Sequence, residues 1–376
     1  MPSVFDAIVV GLGAMGGATA YHLAERGARV LGIDQYAPPH DLGSSHGESR
    51  IIRLVYYEHP LYVPILRRAF ELWHRLERDT GTRLLETTGN LMLGHATSGL
   101  IGGSVRAAQE HGLALEEIPR QELQDRYPQF VPRAGVVALL DRAAGVLDAE
   151  RCVRAHLDLA AARGADLRLN ERVVSWMPAG SGVRVRTTQG TYEAGTLVLA
   201  AGPWMPELLG AIGPQLNVER QTMVWFDPPG DRAMWAPGRF PVFMCEFDDG
   251  QLIYGFPRGP RGWKVAVHYE GEPVADVRTM RRGIEPPDIA RVRGAASRLF
   301  EWVKDAPVLD AASCLYTDTP DLRFVIDFLP GMPQVLVSSP CSGHGFKFAS
   351  AIGELQAQLV LDRRCDFDLT PFRIDR

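Results

Sequence analysis

The chain has 376 residues, 46% of them hydrophobic, with 40 Lys and Arg against 45 Asp and Glu for a formal net charge of −5. At roughly 100–200 residues per domain, this length predicts two domains and a large buried core. The arginine pairs Arg67-Arg68, Arg281-Arg282 and Arg363-Arg364 are dispersed. No basic stripe suits nucleic acid or anionic lipid, so the expected ligand is a small molecule. No apolar run approaches the ~20 residues that span a bilayer, so no membrane contact is expected. A first strand beginning within six residues of Met1 leaves no room for a signal peptide, and the expected compartment is the cytoplasm. Five cysteines (Cys152, Cys245, Cys314, Cys341 and Cys365) show no C-x-x-C spacing, which points to neither a metal site nor a disulfide framework.

Residues 5–34 read as a short apolar strand, a Gly11-x-Gly13-x-x-Gly16 turn, an alanine-rich helix closed by Gly27, a second strand and Asp34. These are the parts of a dinucleotide-binding unit. The glycines allow a tight turn and a close approach to a pyrophosphate, and the helix N-terminus offers free N–H groups. Asp34, eighteen residues beyond Gly16, is placed to accept from a ribose hydroxyl. The motif leaves FAD and NAD both open.

Residues 60–79 put Ile65, Ala69, Leu72, Trp73 and Leu76 on one face of a helix, with Pro64 in its first turn. Residues 89–140 mix short apolar runs with helix-like stretches and prolines (Pro119, Pro128 and Pro132) and have no clear assignment. Asp148 reads as the N-cap of a helix through Arg163, ended by Gly164 and followed by a strand at 167–169. Residues 183–194 alternate on both sides of Gln189-Gly190 as a hairpin does, and lead into the apolar run 197–202. Between about 216 and 319 alternation dominates, which predicts an antiparallel sheet and a substrate domain. After it, the strand QVLVSS and a helix with Ile352, Leu355 and Leu359 on one face return to the character of the N-terminus. The nucleotide domain is therefore expected to be discontinuous.

Five segments carry a resemblance: HGESRIIR (46–53), YGFP (254–257), WKVAVHYE (263–270), SCLYTDTPD (313–321) and SGHGFKF (342–348). In this order and spacing, behind an N-terminal nucleotide motif, they resemble the monomeric sarcosine oxidase and N-methyltryptophan oxidase family along nearly the whole chain. The resemblance implies FAD. It also implies an α/β fold in which a Rossmann-like FAD-binding domain (1–85, 145–215 and 320–376) carries an α+β, antiparallel-sheet substrate domain (86–144 and 216–319).

The same resemblance implies the site. Gly11, Gly13, Gly16 and Asp34 would hold the nucleotide part of FAD, and Arg50, Gly343, His344, Gly345 and Lys347 would hold the flavin. Cys314 would form a thioether to the flavin 8α-methyl, a reaction that needs a thiolate. Cys341, just before SGHG, is the competing thiol. Arg53 and Lys347 would clamp a substrate carboxylate, a sensible use of a guanidinium fork and an ammonium. Lys264 would lie beside flavin N5 and promote oxygen reduction, while Tyr254, His268 and Tyr316 would line the substrate cavity. Period two places Trp263, Val265, Val267 and Tyr269 on one face of their strand, and Lys264, Ala266 and His268 on the other.

The activity implied is oxidation of a secondary amine by O₂, with sarcosine giving glycine, formaldehyde and H₂O₂, by a protein expected to be a monomer. No Asp or Glu stands out as a base, so an aromatic, cation-lined pocket is expected to select the neutral amine by desolvation and charge repulsion. Arg53 is followed by Leu54-Val55-Tyr56-Tyr57-Glu58-His59, where the family usually has a histidine and a smaller, glycine-containing loop. Sarcosine, another N-methyl amino acid, and a cyclic imino acid such as proline or pipecolate therefore stay open. So do a D-amino acid oxidase relative, a flavin dehydrogenase that does not use O₂, and a protein that binds FAD without turnover.

Overall fold

The computed structural model describes residues 4–376. The strand Val4–Val10 lies between Val30–Ile33 and Thr191–Leu199 and runs parallel to both. Asp166–Arg168 extends the parallel set beyond Val30–Ile33, and Met332–Ser339 extends it beyond Thr191–Leu199. Where both faces are covered the strands are apolar, as in residues 7–10, Val30–Ile33 and residues 197–199. Helices Ala14–Glu25, Ala149–Ala162 and Ala349–Asp362 bury Tyr21, Leu23, Val153, Leu157, Ile352 and Leu355 against one face. The antiparallel hairpin Val173–Ala179 and Gly182–Thr187 continues the sheet from the lower half of Thr191–Leu199.

Two glycines of the first turn are fixed by close approach. Gly11 has φ +89°, and a Cβ there would lie 2.5 Å from the Ala200 carbonyl oxygen; one on Gly16 would lie 1.7 Å from the carbonyl oxygen of Gly11. The tight crossing from strand to helix exists only without those side chains.

A second sheet orders Val308–Asp318, Asn217–Phe226, Trp263–His268, Leu252–Gly255, Val242–Glu246, Asn90–His95 and Val136–Asp141. It is antiparallel except where Val242–Glu246 runs parallel to Asn90–His95. Its far face carries an aromatic core of Phe130, Trp235, Phe240, Phe243, Trp263 and Phe300. A small third sheet joins Ser49–Ile52, Gly145–Asp148 and Leu85–Thr87, and it carries Arg50.

The helix Val63–Thr80 buries Ile65, Ala69, Leu72, Trp73 and Leu76, the stripe read from the sequence. Asp148 caps Ala149–Ala162 by accepting the Arg151 N–H at 2.9 Å, and the following strand is Asp166–Arg168, one residue earlier than expected. Four helices went unread: the short Arg120–Arg126 and Met205–Leu209 and two longer ones. Gly99–His111 contains three glycines that dilute its apolar period, though Ser98 caps it through Ile101. Pro286–Ala296 sits inside the stretch expected to alternate; Pro at its first position and the Glu285/Asp288 capping box are its sequence signals. The strand at 263 ends at His268, and Tyr269 turns left-handed at φ +60°, so Tyr269 leaves the Trp263 face. Among the described residues no helix is long and apolar enough to cross a membrane, and no group of three His, Cys, Asp or Glu is placed to hold a metal ion.

Candidate functional site

One cleft runs from Gly11, Gly13 and Asp34, past Ala200–Gly202 and Trp204, to Arg50, Cys314, Gly343, Gly345 and Lys347, and on to Arg53, Tyr254, His268 and Tyr316. Its near end is the turn after Val4–Val10. Asp34 is buried and accepts the N–H groups of Leu12 (2.7 Å) and Tyr36 (2.9 Å). Burial pushes its carboxyl up in spite of these two donors. The indole Nε1 of Trp204, also in the wall, is buried without a protein partner, and a buried donor of this kind calls for one. A glycine-lined turn, a buried acid at the end of the second strand and an orphan indole donor in one cleft together fit a flavin dinucleotide. Gly16 packs behind the turn and does not line the cleft.

At the middle of the cleft, the Cys314 thiol is buried at 3.6 Å from Arg50 Nη2 and 3.7 Å from the Ser44 carbonyl oxygen. Burial alone would push it up, but the neighbouring His46 and the positive charges of Arg50 and Lys264 bring it down to about 7. At Cys341 burial meets no such cation and pushes the thiol up to about 12. His46 was missed in the sequence, although it opens the HGESRIIR segment. Only the fold brings residue 46 beside residue 314, through the turn leading into Ser49–Ile52. In the SGHG turn, the N–H groups of Ser342 and His344 are spent on Thr317 and Cys341 carbonyls, and Gly343 and Gly345 line the cleft.

Lys264 does not line the cleft. Its ammonium is fully buried behind the 47–49 turn, outside the cleft wall, donating to Gly47 O (2.7 Å), Ser49 O (3.0 Å) and Ser49 Oγ (3.2 Å). Burial, with Arg50 close by, holds it well below the ordinary lysine value.

At the far end, Tyr316 OH lies 3.1 Å from His268 Nδ1 and 3.5 Å from Tyr254 OH. Burial lowers His268 to about 3, so its imidazole is neutral. On the other side Lys347 donates to the His344 carbonyl at 2.6 Å, and burial followed by the nearby Arg53 brings it down to about 7. His344 is itself fixed by Tyr56 OH (2.6 Å) and the Leu322 carbonyl (3.1 Å).

Arg53 corrects the picture of a purely cationic pocket. Its Nη2 donates to both carboxylate oxygens of Glu58 at 2.6 Å, and its Nη1 donates to the Val55 carbonyl. The rings of Tyr56 and Tyr57 lie 4.3 and 4.8 Å from the guanidinium carbon. Burial pushes the Glu58 carboxyl up, but Arg53 wins and holds it below its ordinary value. An acid therefore lines the cleft where none was expected, within the loop whose sequence departs from the family pattern.

The chain belongs to the FAD dependent oxidoreductase family, whose model matches residues 6–359. It is 41% identical over 367 residues to monomeric sarcosine oxidase of Streptomyces avermitilis, covering 96% of this chain and 94% of that one. It is 32% identical over 379 residues to N-methyl-L-tryptophan oxidase of Salmonella dublin, covering 99% of each. Among solved structures, L-proline dehydrogenase from P. horikoshii superposes with a TM-score of 0.85 at 19% identity, over 100% of this chain and 98% of that one, which shows a shared fold.

Proposed function

We propose that this flavin amine oxidase oxidises sarcosine or another small N-methyl amino acid. The observation that carries the reading is the pairing of two buried cations, Arg53 and Lys347, with a neutral His268 and the Tyr254 and Tyr316 hydroxyls in one end of the flavin-sized cleft. The relatives named for sarcosine and N-methyl-L-tryptophan support the same substrate class.

Lys347 and the donors of Arg53 not taken by Glu58 and Val55 bind the substrate carboxylate. The aromatic wall excludes water, and burial beside the cationic Arg53 and Lys347 disfavours a charged amine, which favours the uncharged amine needed for oxidation. The bound FAD supplies a two-electron acceptor that is returned to its oxidised form by O₂. For sarcosine the balance is sarcosine + O₂ + H₂O → glycine + formaldehyde + H₂O₂. Arg50, Gly343 and Gly345 face the flavin in this reading, and Lys264 assists oxygen reduction from behind the 47–49 turn. Cys314, the cleft thiol with the thiolate character that covalent attachment needs, is the proposed attachment point. The segments 1–85, 145–215 and 320–376 form the proposed FAD-binding domain, and 86–144 and 216–319 the substrate domain. Action as a monomer follows the name of the sarcosine-oxidising relative.

The test is an absorbance spectrum before and after acid precipitation, followed by anaerobic sarcosine. Flavin held in the pellet and bleached by sarcosine is the expected result. Flavin released to the supernatant overturns the Cys314 link, and flavin left oxidised by sarcosine but bleached by proline or D-alanine overturns the substrate.

A further inference from the structure

Glu48 sits at φ +67°, directly after Gly47 at φ +89°. A residue with a Cβ is disfavoured in this left-handed region, and two such residues in succession bend the chain sharply. The bend turns the Gly47 and Ser49 carbonyls toward the Lys264 ammonium, at 2.7 and 3.0 Å. From outside, the Glu150 carboxylate accepts the Gly47 N–H (2.7 Å) and the Glu48 N–H (3.1 Å). The Glu48 side chain reaches the other way, where its Oε2 accepts the indole N–H of Trp225 at 3.0 Å. The Trp225 ring is one of two aromatic surfaces near the ammonium, its centroid 5.4 Å from Nζ, with that of Phe256 at 4.7 Å. The same ring carries the Arg261 guanidinium at 3.8 Å, and Arg261 is held by Asp310 at 2.6 Å.

Glycine or asparagine would take this backbone with less strain, so a glutamate here calls for a role for its carboxyl group. We propose that Glu48 is a positioning residue for oxygen reduction: its bond to Trp225 locks both the 47–49 turn and the indole face, and so fixes where the Lys264 ammonium is held. This rests on the reading of Lys264 as the cation that assists O₂. The carboxyl accepts the indole N–H whether or not it is protonated, so a glutamine keeps the contact and a glycine loses it while relieving the backbone.

The experiment uses the holoenzyme of Glu48→Gly, Glu48→Gln and Lys264→Met. Flavin is reduced anaerobically by sarcosine in one series and photochemically in another, so that reoxidation is read independently of the amine. Expected for Glu48→Gly are sarcosine reduction within about twofold of the parent and reoxidation slowed about tenfold, with Glu48→Gln restoring the rate. A crystal structure of Glu48→Gly is expected to show Nζ beyond the ~3.2 Å reach of the Gly47 and Ser49 oxygens. Parent-like reoxidation in Glu48→Gly, equal loss of both half-reactions, an unmoved ammonium, or a Glu48→Gln as slow as Glu48→Gly each overturn the proposal. Lys264→Met separates the two readings. If it reoxidises at the parent rate, the oxygen role of Lys264 fails; if it is slow while Glu48→Gly is not, only the role of Glu48 fails.

Discussion

Arg53 and Glu58 form a buried pair at 2.6 Å in the wall of the substrate end of the cleft, with the guanidinium flanked by two tyrosine rings. In the proposed reading, a substrate carboxylate shares Arg53 with an acid already bound to it. Glu58→Gln removes that competitor and leaves Arg53 without its counter-ion. Breaking one partner of a buried pair costs about 3–5 kcal/mol, so the variant is expected to melt at lower temperature and to recover part of the loss when acetate is added. Its acetate Kd, read from the flavin spectrum, is expected to fall by about tenfold, the equivalent of about 1.4 kcal/mol. An unchanged acetate Kd would show that Glu58 does not oppose carboxylate binding.

The position of Lys347 gives carboxylate binding a pH dependence. Burial and Arg53 bring the lysine down to about 7, and a carboxylate prefers the ammonium form. Below about 7 the free protein already carries the proton; above it a proton must be taken up on binding, and affinity falls by up to about tenfold per pH unit. The acetate Kd is therefore expected to be flat below pH 7 and to rise above it. Lys347→Met is expected to weaken binding and remove the break at 7. A break that persists in that variant would assign the proton to another group.

Cys314 and Cys341 offer a comparison within one protein. His46, Arg50 and Lys264 bring the first thiol to about 7 against its burial, while burial takes the second to about 12. Flavin-free protein treated with iodoacetamide at pH 8 is expected to be alkylated at Cys314 before Cys341, with a rate rising through pH 7. In His46→Ala that midpoint is expected to move up and covalent flavin content to fall. Peptide mapping by mass spectrometry reads both. Faster alkylation of Cys341 would reverse the assignment of the attachment site.

What could be read in the sequence was what is local. The Gly11-to-Asp34 unit, the buried stripe of Val63–Thr80 and the Asp148 cap depend on spacing within a few turns, and their patterns survive in one dimension. Helices Gly99–His111 and Pro286–Ala296 were lost because glycines or an alternating context masked the helical period. The expectations for the flavin and amine end of the cleft came only through the resemblance to a family, since nothing in WKVAVHYE itself singles out Lys264. Two features escaped that route as well. His46 acts on Cys314 across 268 residues of chain, and Glu58 is visible as a partner only when the loop after Arg53 folds back over the guanidinium.

The glycines of the first turn separate stability from cofactor binding. A Cβ on Gly16 would lie 1.7 Å from the Gly11 carbonyl oxygen, which is backbone and cannot move aside without opening the strand-to-helix crossing. A Cβ on Gly13 would meet nothing closer than Ser45 Oγ at 3.5 Å, an ordinary contact, and Gly13 lines the cleft. Gly16→Ala is therefore expected to destabilise the flavin-free protein by about 1–3 kcal/mol, the range for overpacking a well-packed core. Gly13→Ala should stay within about 0.5 kcal/mol of the parent while weakening FAD binding, because its methyl group takes space a pyrophosphate needs. Denaturant melts of the flavin-free proteins and FAD titrations by fluorescence quenching check both. Equal stability losses at the two positions would mean that Gly13 is needed for the fold, and its assignment to the cofactor would lose its support.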